Sequence, residues 1–503
     1  MNKYMKYAFL LGLLCAVSSC EMNITPTTAI EVSPDAPLMQ NRDNIDKFVN
    51  GMMARYRATQ YGVYSYTSEV QCDMFNAAVD FGNRNGTSHR MDNSFTTSDY
   101  NIRDVWRDNY YALKEINIFL SQIDRFEGTT ADMAYAQVTK GYACFFRAAV
   151  YHQLIRHFAK DYEPATAGSD LGVPLILEHD IDARPARATV QAVYDQIVTD
   201  LTTAEGLLSG EEGVARSGYP TIDLVKALKA RVFLAMHKYG EAASLAKSVV
   251  DTKHYTLSST DADMTAEYTN DEGTEPLLQL AATLTEEGSG RNGIYTGYAT
   301  KKIDNQNIIV YQPDFFPTKT LLGLYDANDV RLKNWFGAKY DVYMANAIRE
   351  GVSVFLKYPG NPTLSTSSVP NGRQKVKPFL IGEQYLIAAE AFFLDNKPVD
   401  AKAILNELQT KRGALETEAT LANIQKEWAK ETVGEGVRLD CLKRWKLGFD
   451  GRVPQDLCDQ ENLIMKGDNY EKKKVAADTF YFSWAIPTYD MQTNSNLTQN
   501  TGW

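Results

Sequence analysis

A recurring pair of antiparallel helices constrains the fold of this chain more than any other feature of its sequence. Residues 221–252 carry small and aromatic side chains at fixed spacing around a short turn: Ala230, Phe233, Ala242 and Ala246. Residues 379–412 repeat that spacing in register, with Ala389, Phe392, Ala401 and Leu405. Small residues let two helices approach closely, and the aromatic ring fills the groove beside their crossing. The sequence therefore predicts at least two similar helical hairpins.

A third, looser copy precedes these two. A helical pattern over 135–156, with Ala148 and Tyr151, pairs with a second pattern over 190–208 after a long insertion. Such hairpins bury their apolar faces only by stacking on one another. We therefore predict a mainly α fold, a tetratricopeptide-like helix-pair scaffold with repeat elements at about 135–252 and 379–412. Unrelated helical hairpins that share a generic spacing are the alternative.

Two further segments have a different character. Residues 255–375 are rich in Thr, Gly, Asn and Tyr, and short apolar runs at 307–311 and 352–357 suggest strands. We predict an irregular, loop-rich second lobe containing short strands. Residues 59–100 also read as loops, between amphipathic helices expected over 44–56 and 103–123.

The N-terminus has the pattern of a secretion signal. Lys3 and Lys6 precede an apolar run over 7–17, and two serines then lead into Cys20. The run is about half of the roughly 20 residues that cross a bilayer, so it does not anchor the mature chain. We predict a signal peptide over 1–19, a lipidated Cys20, a Thr/Pro-rich tether over 20–38, and a folded body over 39–503. An ordinary signal peptide that happens to contain a cysteine is the alternative.

Composition and motifs exclude several classes of function. The formal net charge of −11 argues against a nucleic-acid partner, because there is no excess of cations to neutralise phosphate. No HExxH, GxSxG or CxxC motif occurs, and the six histidines have no metal-ligand spacing. We therefore predict no enzyme, cofactor or metal. A glycosidase with two distant carboxylates stays open, because its acids need no local spacing.

Longer motifs give the chain a resemblance to a known family. The segments that carry it are GYACFFRAAVYHQLIRHFAKDYE, GVPLIL, RPARATVQAVYDQIVTDLTTAEGLL, EQYLIAAEAFF, DAKAILNELQTKRGA, RLDCLKRW and the ending YFSWAIPTYDMQTNSNLTQNTGW. In this order they resemble the SusD/RagB family, although Ser495 and Thr501 stand where proline is usual. The resemblance implies a tetratricopeptide-scaffolded surface lipoprotein that forms a lid over a SusC-like TonB-dependent transporter. We expect the charged motif residues to hold the scaffold through ion pairs and caps: Arg147, Asp200, Glu390, Arg412, Asp440, Arg444 and Trp445.

Candidate ligand residues come from loop aromatics and their polar neighbours. Sugar rings present apolar faces edged by hydroxyls, so flat aromatic platforms beside polar groups suit them. The resemblance implies that the early segment and the irregular lobe build the ligand surface. Those two regions contain Tyr64, Tyr66, Asp80, Phe81, Asn83, Arg84, Tyr295, Tyr298, Tyr311 and Trp335. For any single aromatic, packing beneath its own loop is the competing interpretation.

Together these features predict a binding protein of the outer membrane. It would be lipid-anchored on the extracellular face, capture a nutrient glycan, and deliver it to a SusC-like TonB-dependent transporter. Stacking and hydrogen bonds suit peptides as well as sugars, so the same architecture binding peptides or another nutrient is the alternative. A third possibility is an assembly protein that uses its repeats only to hold partners.

Overall fold

Helices dominate the first half of the chain in a computed structural model, which describes residues 38–81, 85–284, 296–367, 369–456, 462–465 and 473–503. Within these residues no helix is both long and apolar enough to cross a membrane. The elements of this half are α1 Arg42–Ala58, α2 Val63–Gln71, β1 Phe75–Ala77, α3 Gly86–Arg90, α4 Tyr100–Ile123, α5 Thr130–Phe158, α6 Val190–Leu207, α7 Ile222–Ala235, α8 Tyr239–Asp251 and α9 Asp261–Tyr268.

Strands alternate with short helices before helices return. The elements are β2 Pro276–Leu280, β3 Tyr298–Ile303, β4 Gln306–Tyr311, β5 Phe315–Pro317, α10 Lys319–Leu322, α11 Val330–Trp335, β6 Phe336–Met344, β7 Ala347–Phe355, β8 Val376–Leu380, α12 Ile381–Leu394, α13 Pro398–Lys411, α14 Leu421–Glu431, α15 Arg438–Arg444, β9 Phe449–Asp450, β10 Lys474–Val475 and α16 Thr488–Thr493. One sheet has the strand order β3-β4-β6-β7, and three two-stranded pairs join β1 to β5, β2 to β8, and β9 to β10.

The predicted helix pairs are present, and their turns repeat as well. In α7/α8 and in α12/α13, a residue with left-handed backbone ends the first helix, His237 at φ 58° and Asn396 at φ 56°. The next amide then donates to the carbonyl of the repeat aromatic, Lys238 to Phe233 and Lys397 to Phe392, each over 2.8 Å. This left-handed ending satisfies carbonyls that the helix leaves free. The mainly α, helix-pair fold is therefore confirmed, with short strands in a second lobe.

The loop prediction for residues 59–100 is wrong over α2. This helix begins at Val63, is preceded by Gly62 without a side-chain cap, and buries all of residues 66–71, whichever way they point. Burial on every side removes the amphipathic pattern by which a helix is recognised. Tertiary packing therefore makes a helix here that the sequence alone does not indicate.

Ion pairs connect the helices at the motif residues. Arg147 of α5 donates two hydrogen bonds to the carboxylate of Asp200 in α6, over 2.9 and 2.7 Å. Arg412, fully buried, donates to Glu275 over 2.7 and 2.8 Å and also bonds Glu431 of α14. Buried charges require such partners, so these residues hold the scaffold, as expected. The others behave alike: Asp440 pairs with Arg156, and Glu390 pairs with Arg444 and Trp445.

Candidate functional site

Three tyrosines line up across the four-stranded sheet. Tyr298 of β3 lies directly opposite Tyr311 of β4, with ring centroids 6.3 Å apart in an edge-to-face arrangement. Tyr311 in turn meets Tyr340 of β6 at 4.8 Å and 88°. Edge-to-face contacts at these separations are attractive beyond the area that they bury. We call Tyr298, Tyr311 and Tyr340 the tyrosine ladder.

The hairpin β3/β4 explains which way the ladder faces. Along β3 the side chains alternate between exposed and half-buried, beginning with the exposed Tyr298. Asp304 and Asn305 close the hairpin with left-handed backbones, φ 49° and 66°, as a two-residue turn between twisted strands requires. The face that carries Tyr298 and Tyr311 also presents Thr300, Lys302, Asn307 and Ile309.

The ladder is firm at one end and open at the other. Tyr311 and Tyr340 are partly buried against an apolar cluster that includes Val342, Val352 and Val354, whereas Tyr298 is 38% exposed. Asn371 fixes the backbone beside Tyr298 by donating from Nδ2 to its carbonyl over 3.1 Å. Burial raises the pKa of the Tyr311 phenol, so that side chain stays neutral at physiological pH. The ladder can therefore offer an aromatic face at Tyr298 and a neutral hydroxyl at Tyr311.

Asp80 and Phe81 lie close to the same sheet but outside the ladder. Exposed Asp80 accepts a bond of 2.7 Å from the amide of Ala345, in the turn between β6 and β7. Phe81 is half-buried and meets Phe315 of β5 edge-on at 5.1 Å. Asp80 therefore braces the far end of the sheet, and Phe81 covers a neighbouring apolar cluster.

Two predicted ligand residues are packing residues instead. Trp335 is fully buried, and the ammonium of Lys357 lies 3.9 Å from its ring centroid. Tyr66 is 4% exposed and packs edge-on against Phe315 at 5.7 Å. Neither ring presents a face to a surface ligand, so both are corrected to the core.

Tyr64 occupies a separate place in the structure. It belongs to α2, is half-buried, and donates a hydrogen bond to Asp108 of α4. Burial, reinforced by that carboxylate, raises the pKa of its phenol. Four other predicted residues, Asn83, Arg84, Tyr295 and Cys20, lie outside the described residues.

Sequence reasoning missed Tyr340, the third member of the ladder. The segment 336–344 contains two tyrosines and a phenylalanine. The signal that could have found Tyr340 is its place in a strand. The contact between Tyr340 and Tyr311, however, depends on the parallel pairing of β4 with β6, which the local sequence pattern does not reveal. Chemically, the assembled ladder offers stacking and hydrogen bonding.

Comparison with known proteins gives a consistent result along the chain. A family model described as "Starch-binding associating with outer membrane" matches residues 29–234, and a model of the SusD family matches residues 255–503. No curated protein matches significantly in sequence.

Several solved structures share the fold. A SusD superfamily protein from Bacteroides thetaiotaomicron is 24% identical, with a TM-score of 0.75 over 91% of this chain and 99% of its own. A SusD-like carbohydrate binding protein from Bacteroides vulgatus is 19% identical, with a TM-score of 0.70 over 91% and 98%. A laminarin binding SusD-like protein is 18% identical, with a TM-score of 0.68 over 92% and 100%. The two family models and the shared fold identify this chain as a member of the SusD/RagB family.

Proposed function

We propose that this protein captures a nutrient glycan at the bacterial surface and passes it to a SusC-like TonB-dependent transporter. The observation that carries the proposal is the tyrosine ladder, which places an exposed aromatic ring at the edge of a braced sheet. In this account Cys20 carries the lipid anchor after removal of residues 1–19, and residues 20–38 tether the body to the outer membrane.

The ladder suits the chemistry of a sugar. A pyranose ring packs its C–H face against an aromatic ring, while its hydroxyls need donors and acceptors at the rim. Thr300, Lys302 and Asn307 project from the same face of the hairpin as Tyr298. A hydroxyl-rich chain lying along this hairpin would therefore meet aromatic rings at one end and polar groups toward the turn.

Relatives support a glycan without naming which one. The family model over the first half of the chain is described as starch-binding, and the printed names of structural neighbours include carbohydrate and laminarin binding. We extend only the ligand class to this chain. Asn83, Arg84 and Tyr295 stay predicted flanking contacts.

Peptide capture is the second candidate, because an exposed tyrosine beside amides and a lysine also suits an extended peptide. The two candidates differ in what the tyrosine contacts. A sugar uses the flat ring face, whereas a peptide also forms backbone hydrogen bonds.

Calorimetric titration of the soluble protein, beginning at Glu21, tests the proposal. The panel contains plant, microbial and host polysaccharides, with laminarin among them, and a peptide mixture. We expect one polysaccharide to bind, and Tyr298→Ala to weaken it about tenfold, which corresponds to about 1.4 kcal/mol. Tyr489→Ala is the matched control, because Tyr489 is 69% exposed on α16, outside the ladder.

Other outcomes separate the candidates. A peptide signal without any glycan signal favours the second candidate. Equal loss of glycan affinity in both variants contradicts a ligand site at the ladder.

A further inference from the structure

Three side chains of types that commonly bind metal lie close together, and none of them belongs to the tyrosine ladder. Asp161 and Glu163 follow the end of α5, and His237 occupies the left-handed turn between α7 and α8. One ligand atom from each lies within 4.8 Å of the other two. We call Asp161, Glu163 and His237 the Asp-Glu-His cluster.

Asp161 has a buried carboxylate oxygen that accepts no hydrogen bond within the described part of the chain. The residue is half-buried, but its Oδ2 atom is sealed from solvent and has no hydrogen-bond partner among the described residues. Burial raises the pKa of this carboxyl group to about 6. A buried carboxylate oxygen without a donor is costly, and such an atom calls for a bound cation or water.

A small cavity begins at the same carboxylate. It has a volume of about 40 Å³ and lies between α5, α7 and α15, with Asp161, Tyr194 and Lys443 among its lining residues. A water molecule needs roughly 10–15 Å³ of such space, so roughly three waters fit. A metal ion held by three side chains completes its coordination with water, which this cavity can supply.

The charges around the cluster favour a cation. The arginines that line the cavity are each neutralised by a carboxylate: Arg156 by Asp440, Arg231 by Glu383 and Arg444 by Glu390. Two lysines also line the cavity: Lys160 pairs with Asp170, and Lys443 donates to the carbonyls of Arg156 and Ala159. These cations are therefore engaged elsewhere, which leaves Oδ2 of Asp161 without a donor from the residues that the structure describes.

An exposed lysine side chain already forms an ion pair with the Asp-Glu-His cluster. The ammonium of Lys446 lies 2.7 Å from Oε1 of Glu163, and its side chain is 68% exposed. An exposed lysine gives up such a pair at little cost, because surface ion pairs contribute little stability. Lys446 therefore marks a position of negative potential and competes for it.

We propose that Asp161, Glu163 and His237 bind a first-row divalent cation, Zn²⁺ in preference to Ca²⁺, and that it ties the segment after α5 to the turn between α7 and α8. One imidazole nitrogen with two carboxylate oxygens is a ligand set that Zn²⁺ accepts. Ca²⁺ instead takes six to eight oxygens, more than this cluster offers. The site is independent of glycan capture.

Calorimetric titration with ZnCl₂, MnCl₂ and CaCl₂ tests this proposal on tag-free protein stripped with a chelator. We expect one Zn²⁺ to bind per chain and to raise the unfolding temperature. The affinity for Ca²⁺ should be at least about tenfold lower than the affinity for Zn²⁺. Asp161→Asn and His237→Gln should each weaken Zn²⁺ binding about tenfold or more. Lys446→Met should strengthen it, because the variant removes the competing ammonium.

The control is His254→Gln. His254 is also partly exposed and lies 2.8 Å from a single carboxylate, that of Asp223, so its loss should leave Zn²⁺ affinity unchanged. The proposal is overturned if no saturable Zn²⁺ binding occurs, or if Ca²⁺ binds as tightly. It is also overturned if Lys446→Met, a surface change that leaves the core intact, fails to alter Zn²⁺ affinity.

Discussion

Glu390 provides the sharpest test of the inference that the family motif residues hold the scaffold. This carboxylate of α12 is fully buried and accepts three hydrogen bonds. Two come from Arg444, over 2.9 and 2.8 Å, and one comes from Trp445 over 2.8 Å. Glu390→Gln keeps the shape but turns an amide nitrogen toward a donor and leaves the guanidinium without its counter-charge.

The magnitude follows from that geometry. Breaking a buried ion pair by removing one partner costs about 3–5 kcal/mol, because the remaining charge is uncompensated. The assay is urea unfolding followed by tryptophan fluorescence. Asp251→Asn is the control, since its exposed pair with Lys247 on α8 should contribute almost nothing. Glycan affinity of the folded variant should be unchanged.

A double variant, Glu390→Met with Arg444→Met, completes the cycle. Removing both charges should be less destabilising than Glu390→Gln alone, because apolar replacement of a buried pair is often close to neutral. The scaffold role of Glu390 is wrong if Glu390→Gln costs less than about 1 kcal/mol. It is also wrong if the loss in the double variant equals the sum of the losses measured for Glu390→Met and Arg444→Met separately.

Three further predictions concern the anchor, pH and one glycine. Cys20→Ala should abolish the incorporation of labelled palmitate into the protein in cells, whereas undiminished labelling of the variant would contradict lipidation at Cys20. Burial raises the pKa of Glu69 to about 7 from an ordinary 4.5, so its stabilising protonation is complete below pH 4.5 and lost as the pH rises through 7. Wild type should therefore lose up to about 3 kcal/mol more than Glu69→Gln between pH 4.5 and pH 8 in urea unfolding, and parallel pH profiles would contradict this. Gly436→Ala should destabilise by more than about 1 kcal/mol, because φ is +72° and the new Cβ would lie 2.7 Å from Ser65. Gly206→Ala in α6 meets nothing within 4 Å and should be neutral or stabilising in the same assay.

The helical scaffold was predictable because its signals are local. Small and aromatic residues at fixed spacing indicated α7/α8 and α12/α13, and both turns end in the same left-handed geometry. Ion-pair roles could be expected from residue type, but the partners could not. Arg412 bonds Glu275, which lies 137 residues away, and Glu431, 19 residues away. Only the folded chain brings those groups together.

The arrangement of the candidate site was only partly predictable, because exposure and strand register are not local. Tyr298 and Tyr311 fall opposite each other only through the register of the β3/β4 hairpin. Trp335 lies in the same lobe but is fully buried, with Tyr268 edge-on against its ring at 5.4 Å and the ammonium of Lys357 3.9 Å from its ring centroid. A loop-rich composition therefore does not indicate which aromatics of this lobe reach solvent.

A crystal structure with an oligosaccharide selected from the titration panel would show whether the tyrosine ladder binds sugar. We expect a sugar ring stacked on Tyr298, with its carbons about 4 Å from the phenol ring, and hydroxyls bonded to polar groups of the β3/β4 face. An oligosaccharide bound at another surface, with Tyr298 still open to solvent, would contradict this expectation.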